Sequence, residues 1–225
     1  MTLGRPRLHL RATSSTSDRA RELAAGGAPH GTLVTAGAQS AGRGRQGRTW
    51  SAPPGHALLM SLVLRGAPPL LPLAAAVAVA QAVGEAAQIK WPNDVLLGGR
   101  KVAGILAEGR PQEDWAVLGI GVNVAVRLED LPPELHDTAA TLGRSPADVE
   151  PFLAALLGSL ERALALATGE LLGAWRARDA LAGNAISWAA GSGTAAGIDG
   201  EGRLIVELPG GGRTALDAGE VHLLR

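Results

Sequence analysis

The sequence predicts a mixed α/β chain that ends in a small all-β unit. Three observations predict it. Up to residue 182, β-rich runs are interleaved with helix-spaced segments. An alanine-rich apolar stretch, LLPLAAAVAVAQAV, suits a buried core helix better than a membrane span. After Gly183 short β-like runs alternate with Gly-rich turns, the texture of a small barrel.

The elements follow in order. A short strand is expected at 7–11. SSTSDRARELAAGG then reads as a helix capped by Thr16 or Ser17 and stopped by Gly26-Gly27. Residues 31–36 (GTLVTA) are β-rich, and 56–64 (HALLMSLVL) read as a buried strand. The alanine-rich helix is expected over 70–87. Strands at 88–91, 100–108 and 115–124 follow, with turns at Gly98-Gly99 and near Pro111. Apolar spacing is helical over 146–182, interrupted at Gly169. The runs AISWAA, TAAGID, RLIVEL, RTALDA and EVHLLR form the terminal β unit, so the expected division is 1–182 and 183–225.

Composition narrows the function classes. The 225 residues are 46% hydrophobic and 19% charged, enough for a packed core. Lys+Arg and Asp+Glu are both 21, which disfavours a protein that wraps nucleic acid through a basic surface. With no cysteine, disulfides, thiolate nucleophiles and Cys-ligated metals are excluded. The histidines show no metal-ligand spacing. No signal-peptide core is visible, and the most apolar stretch is shorter than the ~20 residues that span a bilayer. The expectation is a soluble, cytoplasmic protein without a membrane or nucleic-acid partner.

Residues 42–47, GRGRQG, match the dinucleotide fingerprint G-x-G-x-x-G. That motif needs a strand before it, a helix opening at its third glycine, and an acid about 20 residues on. Pro53-Pro54-Gly55 blocks the helix, and no Asp or Glu lies between Glu22 and Glu85. The match is coincidental. The acid-free interval instead holds Arg43, Arg45, Arg48 and Arg65. Arginines among glycines in a neutral protein suit a small anionic ligand, although a solvated surface loop has the same composition.

Further motifs decide between these. KWPND (90–94), RKVAGILAE (100–108), GIGVN (119–123), SST (14–16) and QSAGRGRQGRTW (39–50) together resemble the biotin–protein ligases. The resemblance covers nearly the whole chain in the family's order. KWPND followed by RKVAGIL is its most specific part. It implies a class II aminoacyl-tRNA synthetase-like α/β domain, with a C-terminal SH3-like barrel in DGEGRLIVELPGGGRTALDAGEVHLLR. Some members carry an N-terminal winged helix that binds DNA. Here the first motif begins at Ser14, which suggests the ligase-only type and counts against a repressor.

The family reaction joins biotin to ATP as biotinyl-5′-AMP and then passes it to a lysine of a biotin carboxyl carrier protein. It uses Mg²⁺ and no tightly bound prosthetic group, and homodimers are common. An anionic nucleophile meeting a polyphosphate needs fixed cations. The resemblance makes Lys101 the central one, with Arg43 and Arg45 on the adenylate. Lys90 adds charge. Arg48 is assigned to the nucleotide, though it could equally cap a carbonyl or face solvent. Ser15, Thr16, Gln39 and the backbones of Gly42 and Gly104 would hold biotin, with Arg43 and Lys101 at its carboxylate. Ser17 stands where the family has asparagine, which puts substrate affinity in question. Trp50 would lie against adenine, Asn123 at its edge and Asn93 near the phosphates, with Asp94 as the Mg²⁺ ligand. Trp91 and Pro92 are expected to shape a turn and pack. Two rivals remain: a lipoate–protein ligase of the same fold, and a non-catalytic biotin-binding sensor.

Overall fold

A computed structural model describes residues 3–66 and 70–224. The chain forms β1 (Arg7–Leu10), α1 (Thr16–Ala25), β2 (Leu33–Ala36), β3 (Ala57–Arg65), α2 (Leu71–Val83), β4 (Ala87–Lys90) and β5 (Asp94–Leu97). Next come β6 (Arg100–Arg110), β7 (Trp115–Asn123), α3 (Val149–Leu164) and α4 (Thr168–Arg176). It closes with β8 (Ala185–Trp188), β9 (Gly191–Ile198), β10 (Leu204–Glu207), β11 (Arg213–Leu216) and β12 (His222–Leu223).

The first seven strands make one sheet in the order β1-β2-β3-β7-β6-β5-β4, antiparallel except for β1 with β2. Its two faces have different tasks. One carries the main core: Leu58, Met60, Leu62, Leu118, Ile120 and Val122 pack with α2 and with Phe152, Leu156 and Leu160 of α3. Alternation along each strand sends the intervening residues to the other face. There Val34, Val63 and Val117 meet Ala20 and Ala24 of α1, Ala57 and Leu59 meet Val126, Leu131 and Ala139, and part of that face is left for a cavity.

The second sheet, β11-β10-β9-β8-β12, is antiparallel and begins after Gly183. Ile186, Ala195, Ile198, Leu204, Val206 and Val221 continue the main core into it. The Trp91 indole N–H donates to Gly202 O (3.1 Å), fastening the KWPND turn to this unit.

Four elements differ from expectation. Ser15, with extended backbone, caps α1 by accepting from Asp18 N–H; Thr16 and Ser17 are already helical. Helix α2 stops at Val83 rather than 87, because Gly84 at φ 132° leaves the helix. The expected break at Gly169 falls instead at 165–167, and Gly169 lies in the first turn of α4. Strand β5 was not expected. Its four residues are too short for periodicity to stand out, and their place is set by the Gly98-Gly99 turn, both glycines at positive φ, which folds β5 onto β6.

Candidate active site

The open face of the first sheet holds a cavity of about 600 Å³. Its floor is made by the sheet itself. Gly104 of β6 pairs directly with Gly121 of β7, and Gly119 lies two residues before it on the same face. Side chains there would fill the space. A Cβ on Gly121 would fall 2.6 Å from the Trp50 ring, one on Gly104 2.9 Å from it, and one on Gly119 2.7 Å from Ser17 Oγ.

Lys101 reaches this floor through a defect in the ladder. Val95 pairs with Ala103 but Leu96 with Lys101, so Val102 is an extra residue on β6. In an unbroken strand, positions 101 and 104 would face opposite ways. The bulge turns Lys101 to the glycine face, where Nζ would lie 3.3 Å from a Cβ on Gly104. Nζ stands 2.7 Å from Asp94 Oδ1 and 5.7 Å from the centre of the Trp50 ring. The Lys101 backbone is clamped from outside: its N–H donates to Thr138 O, and its carbonyl accepts from Ala140 N–H.

Behind the floor, Gln39 Oε1 accepts from Thr16 N–H (2.7 Å) and Thr16 Oγ1 (3.0 Å). Ser61 Oγ donates to Thr16 Oγ1 (2.9 Å) and lies 3.1 Å from Ser17 Oγ. Thr16, Ser17 and Gln39 line the cavity. Ser15 and Gly42 stand behind its wall, one as helix cap and the other as loop base. Ser61 was missed in the sequence, where it is the only polar residue within the otherwise apolar ALLMSLVL.

The 42–50 loop is a pinned turn. Trp50 N–H donates to Gly42 O, Gly44 N–H to Arg48 O, and Arg48 N–H to Arg45 O. A short 3-10 turn over Arg45–Gly47 follows, with Gln46 at φ 55°, and no helix opens at Gly47. The cations differ in their partners. Arg43 donates to Asp18 Oδ1 (3.0 Å) and Glu108 Oε1 (3.2 Å). Arg48 pairs with Glu220 of the second unit. Arg65 lies elsewhere, donating to Ala24 O and Ala28 O at the end of α1. Arg45 lines the cavity and makes no ion pair or side-chain hydrogen bond among the described residues. Burial lowers its pKa, Asp94 works against that, and Arg48 adds to it. Lys90, at the end of β4, also lines the cavity.

Asn93 Nδ2 donates to Ile105 O (3.0 Å), so its amide N–H anchors the KWPND turn on β6. Asn123 Nδ2 donates to Ala140 O (2.9 Å). Besides Asp94 Oδ1, which has the Lys101 ammonium, the Trp50 indole N–H and Asn123 Oδ1 are buried in the cavity wall with no hydrogen-bond partner among the described residues. Such atoms are rare in native structures and call for a ligand or water.

No group of three or more metal-ligating side chains gathers among the described residues. Of the carboxylates lining the cavity, Asp94 is held by Lys101 and Glu220 by Arg48, while Asp137 stands apart from the Lys101 pair. That donor set suits Mg²⁺ carried in on phosphates, since Mg²⁺ keeps several waters and uses one or two carboxylates. It does not make a resident metal site. No helix among the described residues is long and apolar enough to cross a membrane.

Comparison with known proteins agrees with this geometry. The Biotin/lipoate A/B protein ligase family matches residues 10–124, and the Biotin protein ligase C terminal domain matches 190–224. The biotin–[acetyl-CoA-carboxylase] ligase of Mycobacterium tuberculosis is 33% identical, over 94% of this chain and 86% of its own length. That of Paracoccus denitrificans is 37% identical, over 93% and 97%. The bifunctional ligase/repressor BirA of Bacillus subtilis is 46% identical across 60% of this chain, and the match spans only 45% of that relative. The Aquifex aeolicus biotin protein ligase, in complex with biotin and ATP, superposes with a TM-score of 0.82 at 27% identity, covering 98% and 99% of the two chains. The fold is therefore a synthetase-like α/β domain with a small SH3-like C-terminal unit, and the chain belongs to the biotin/lipoate A/B protein ligase family.

Proposed function

We propose that the protein is an ATP-dependent biotin–protein ligase that attaches biotin to a lysine of a biotin carboxyl carrier domain through biotinyl-5′-AMP. The observation that carries this reading is the content of one cavity. A glycine-cleared floor, a hydroxyl–carboxamide cluster and the cations Lys90, Lys101 and Arg45 meet there. The catalytic work is assigned to residues 1–182, with 183–225 as a smaller unit closing one wall through Gly219–Leu223. Consumption of ATP suits the cytoplasm.

In the first step a carboxylate oxygen bonds to the α-phosphorus, and the bond from that phosphorus to pyrophosphate breaks. Both reactants are anionic, so approach needs fixed positive charge. Lys101 is already turned to the floor and has only Asp94 to exchange for the incoming oxygens. Arg45 has no ion pair to exchange among the described residues, and a half-buried guanidinium offers its forked donors to phosphate oxygens. Asp94 is the residue that would hold Mg²⁺, which supplies further charge neutralisation when bound with ATP. Asn123 Oδ1 and the Trp50 N–H are an acceptor and a donor suited to a purine, whose edge offers both, and the Trp50 ring supplies a flat face. Thr16, Gln39, Ser17 and Ser61 supply the few polar groups that a ureido ring needs in an otherwise apolar slot.

In the second step the carrier lysine's neutral amine attacks the acyl carbon, an amide forms, AMP leaves and a proton is released. The mixed anhydride must be kept from water meanwhile, a task for the 42–50 loop. Pyrophosphate release tests the reading. Biotin with Mg-ATP is expected to release it, lipoate is not, and release with lipoate alone would transfer the assignment to a lipoate ligase. A chain that binds biotin and releases no pyrophosphate would be a sensor.

A further inference from the structure

Arg43 lines the cavity, but its charge is not free. Asp18 Oδ1 accepts from both Arg43 and Arg21, and Glu108 Oε1 accepts from the same two arginines at 3.2 and 3.3 Å. The four groups form a closed square of alternating charge, each between about a quarter and two fifths exposed. Its corners come from the base of the 42–50 loop, two successive turns of α1 and the far half of β6. Those are the elements that also carry Arg45, Thr16 with Ser17, and Lys101 with Gly104. Arg43 lines the cavity, while Asp18, Arg21 and Glu108 do not.

We infer that Asp18 and Glu108 are positioning residues for Arg43, and that Arg21 is the standing cation that keeps them neutralised. This rests on the ligase reading for its ligand but not for its geometry. A guanidinium has five N–H donors, and the square uses one on each terminal nitrogen. The remaining donors stay available to an anion, from a group whose orientation is fixed in advance. Because the square sums to zero charge, Arg43 contributes direction and anchorage, and the net attraction for an anion falls to Arg45, Lys90 and Lys101. Isolated exposed ion pairs contribute little, but a closed network of fixed geometry is the case in which they matter. Glu108 Oε2 is buried with no hydrogen-bond partner among the described residues, so this carboxylate pairs through Oε1 alone. Without Arg43 the two carboxylates would share Arg21 alone.

The test is a double-mutant cycle between Asp18→Asn and Arg43→Gln, with two kinetic readouts and the thermal midpoint as a folding control. One readout is the rate of tryptic cleavage at the Arg45–Gln46 bond in the ligand-free protein. The other is the dissociation rate of preformed biotinyl-adenylate. Asp18→Asn is expected to raise both rates about three- to tenfold, the effect of losing one ordinary hydrogen bond, since this pair is partly exposed. In the Arg43→Gln background it should change them less than about twofold, because its target is gone. Asp18→Glu should restore most of the loss, and Glu108→Gln repeats the cycle if Asp18→Asn disturbs α1. Equal factors in both backgrounds, or unchanged loop cleavage in Asp18→Asn, would overturn the inference. A wild type that forms no adenylate refutes the ligase reading instead, and the cleavage arm still decides the positioning role.

Discussion

The floor of the cavity and the loop over it bring residues to the same place by opposite means. On the floor, strand register does the placing: Gly104 faces Gly121, and one bulge turns Lys101 toward them. In the 42–50 loop, charge partners do it: Arg43 is tied to α1 and β6, Arg48 to Glu220, and Arg45 to nothing among the described residues. The floor glycines therefore act through shape, and substitutions at them should be indifferent to salt. Loop residues act through charge, and their effects should shrink as salt screens them.

The largest effect should come from the floor. Lys101→Ala is expected to lower kcat about 10²- to 10³-fold, the scale of losing one group aimed at developing charge. Steady-state pyrophosphate release measures it, and a tenfold change or less would remove Lys101 from the centre of the site. Next is Arg45→Gly, which should speed dissociation of biotinyl-adenylate about 10- to 100-fold at low salt. Raising the ionic strength should narrow that gap. A salt-independent gap would mean that Arg45 works by packing. Gly121→Ala places a methyl carbon where Trp50 lies, and should raise the KM for ATP about tenfold with no salt dependence.

Smaller effects lie at the edges of the comparison. Glu220→Gln frees Arg48, and the exposed pair predicts only about a twofold change in the KM for ATP. A tenfold change would show that the second unit governs the loop. Asp179, outside the site, gives a pH control. Burial raises its carboxyl pKa in the folded chain. Its contribution to stability is then full below the ordinary carboxylate value and is lost as pH rises through the raised value. Asp179→Asn should melt about 2 °C higher at neutral pH, with the gap closing as pH falls. A constant gap would contradict this.

Legibility in the sequence followed the same division. The elements of the first sheet other than β5, the Gly98-Gly99 turn and the terminal β unit could be read because alternation and turn chemistry are local. The glycines of AGIL and GIGVN and the lysine before them stood at recognisable spacings. The bulge that turns Lys101 could not be read, since it exists only in pairing with β5. Nor could the partners of the loop arginines: Asp18, Glu108 and Glu220 are distant in sequence from Arg43 and Arg48, and nothing in their local context marks them. GRGRQGR reads as three similar cations, whereas the fold makes one an anchor, one a tie to the second unit, and leaves one without an ion pair among the described residues. Ser61 was open to detection, as a hydroxyl in an apolar strand, and its meaning lay in Thr16 across the sheet.

The central claim is that this cavity makes and transfers biotinyl-adenylate. Incubating the full chain with labelled biotin, Mg-ATP and a biotin carboxyl carrier domain tests it most directly. Label is expected on the carrier lysine with the wild type, and almost none with Lys101→Ala. Label that never reaches the carrier, or that reaches it equally well with Lys101→Ala, would contradict it.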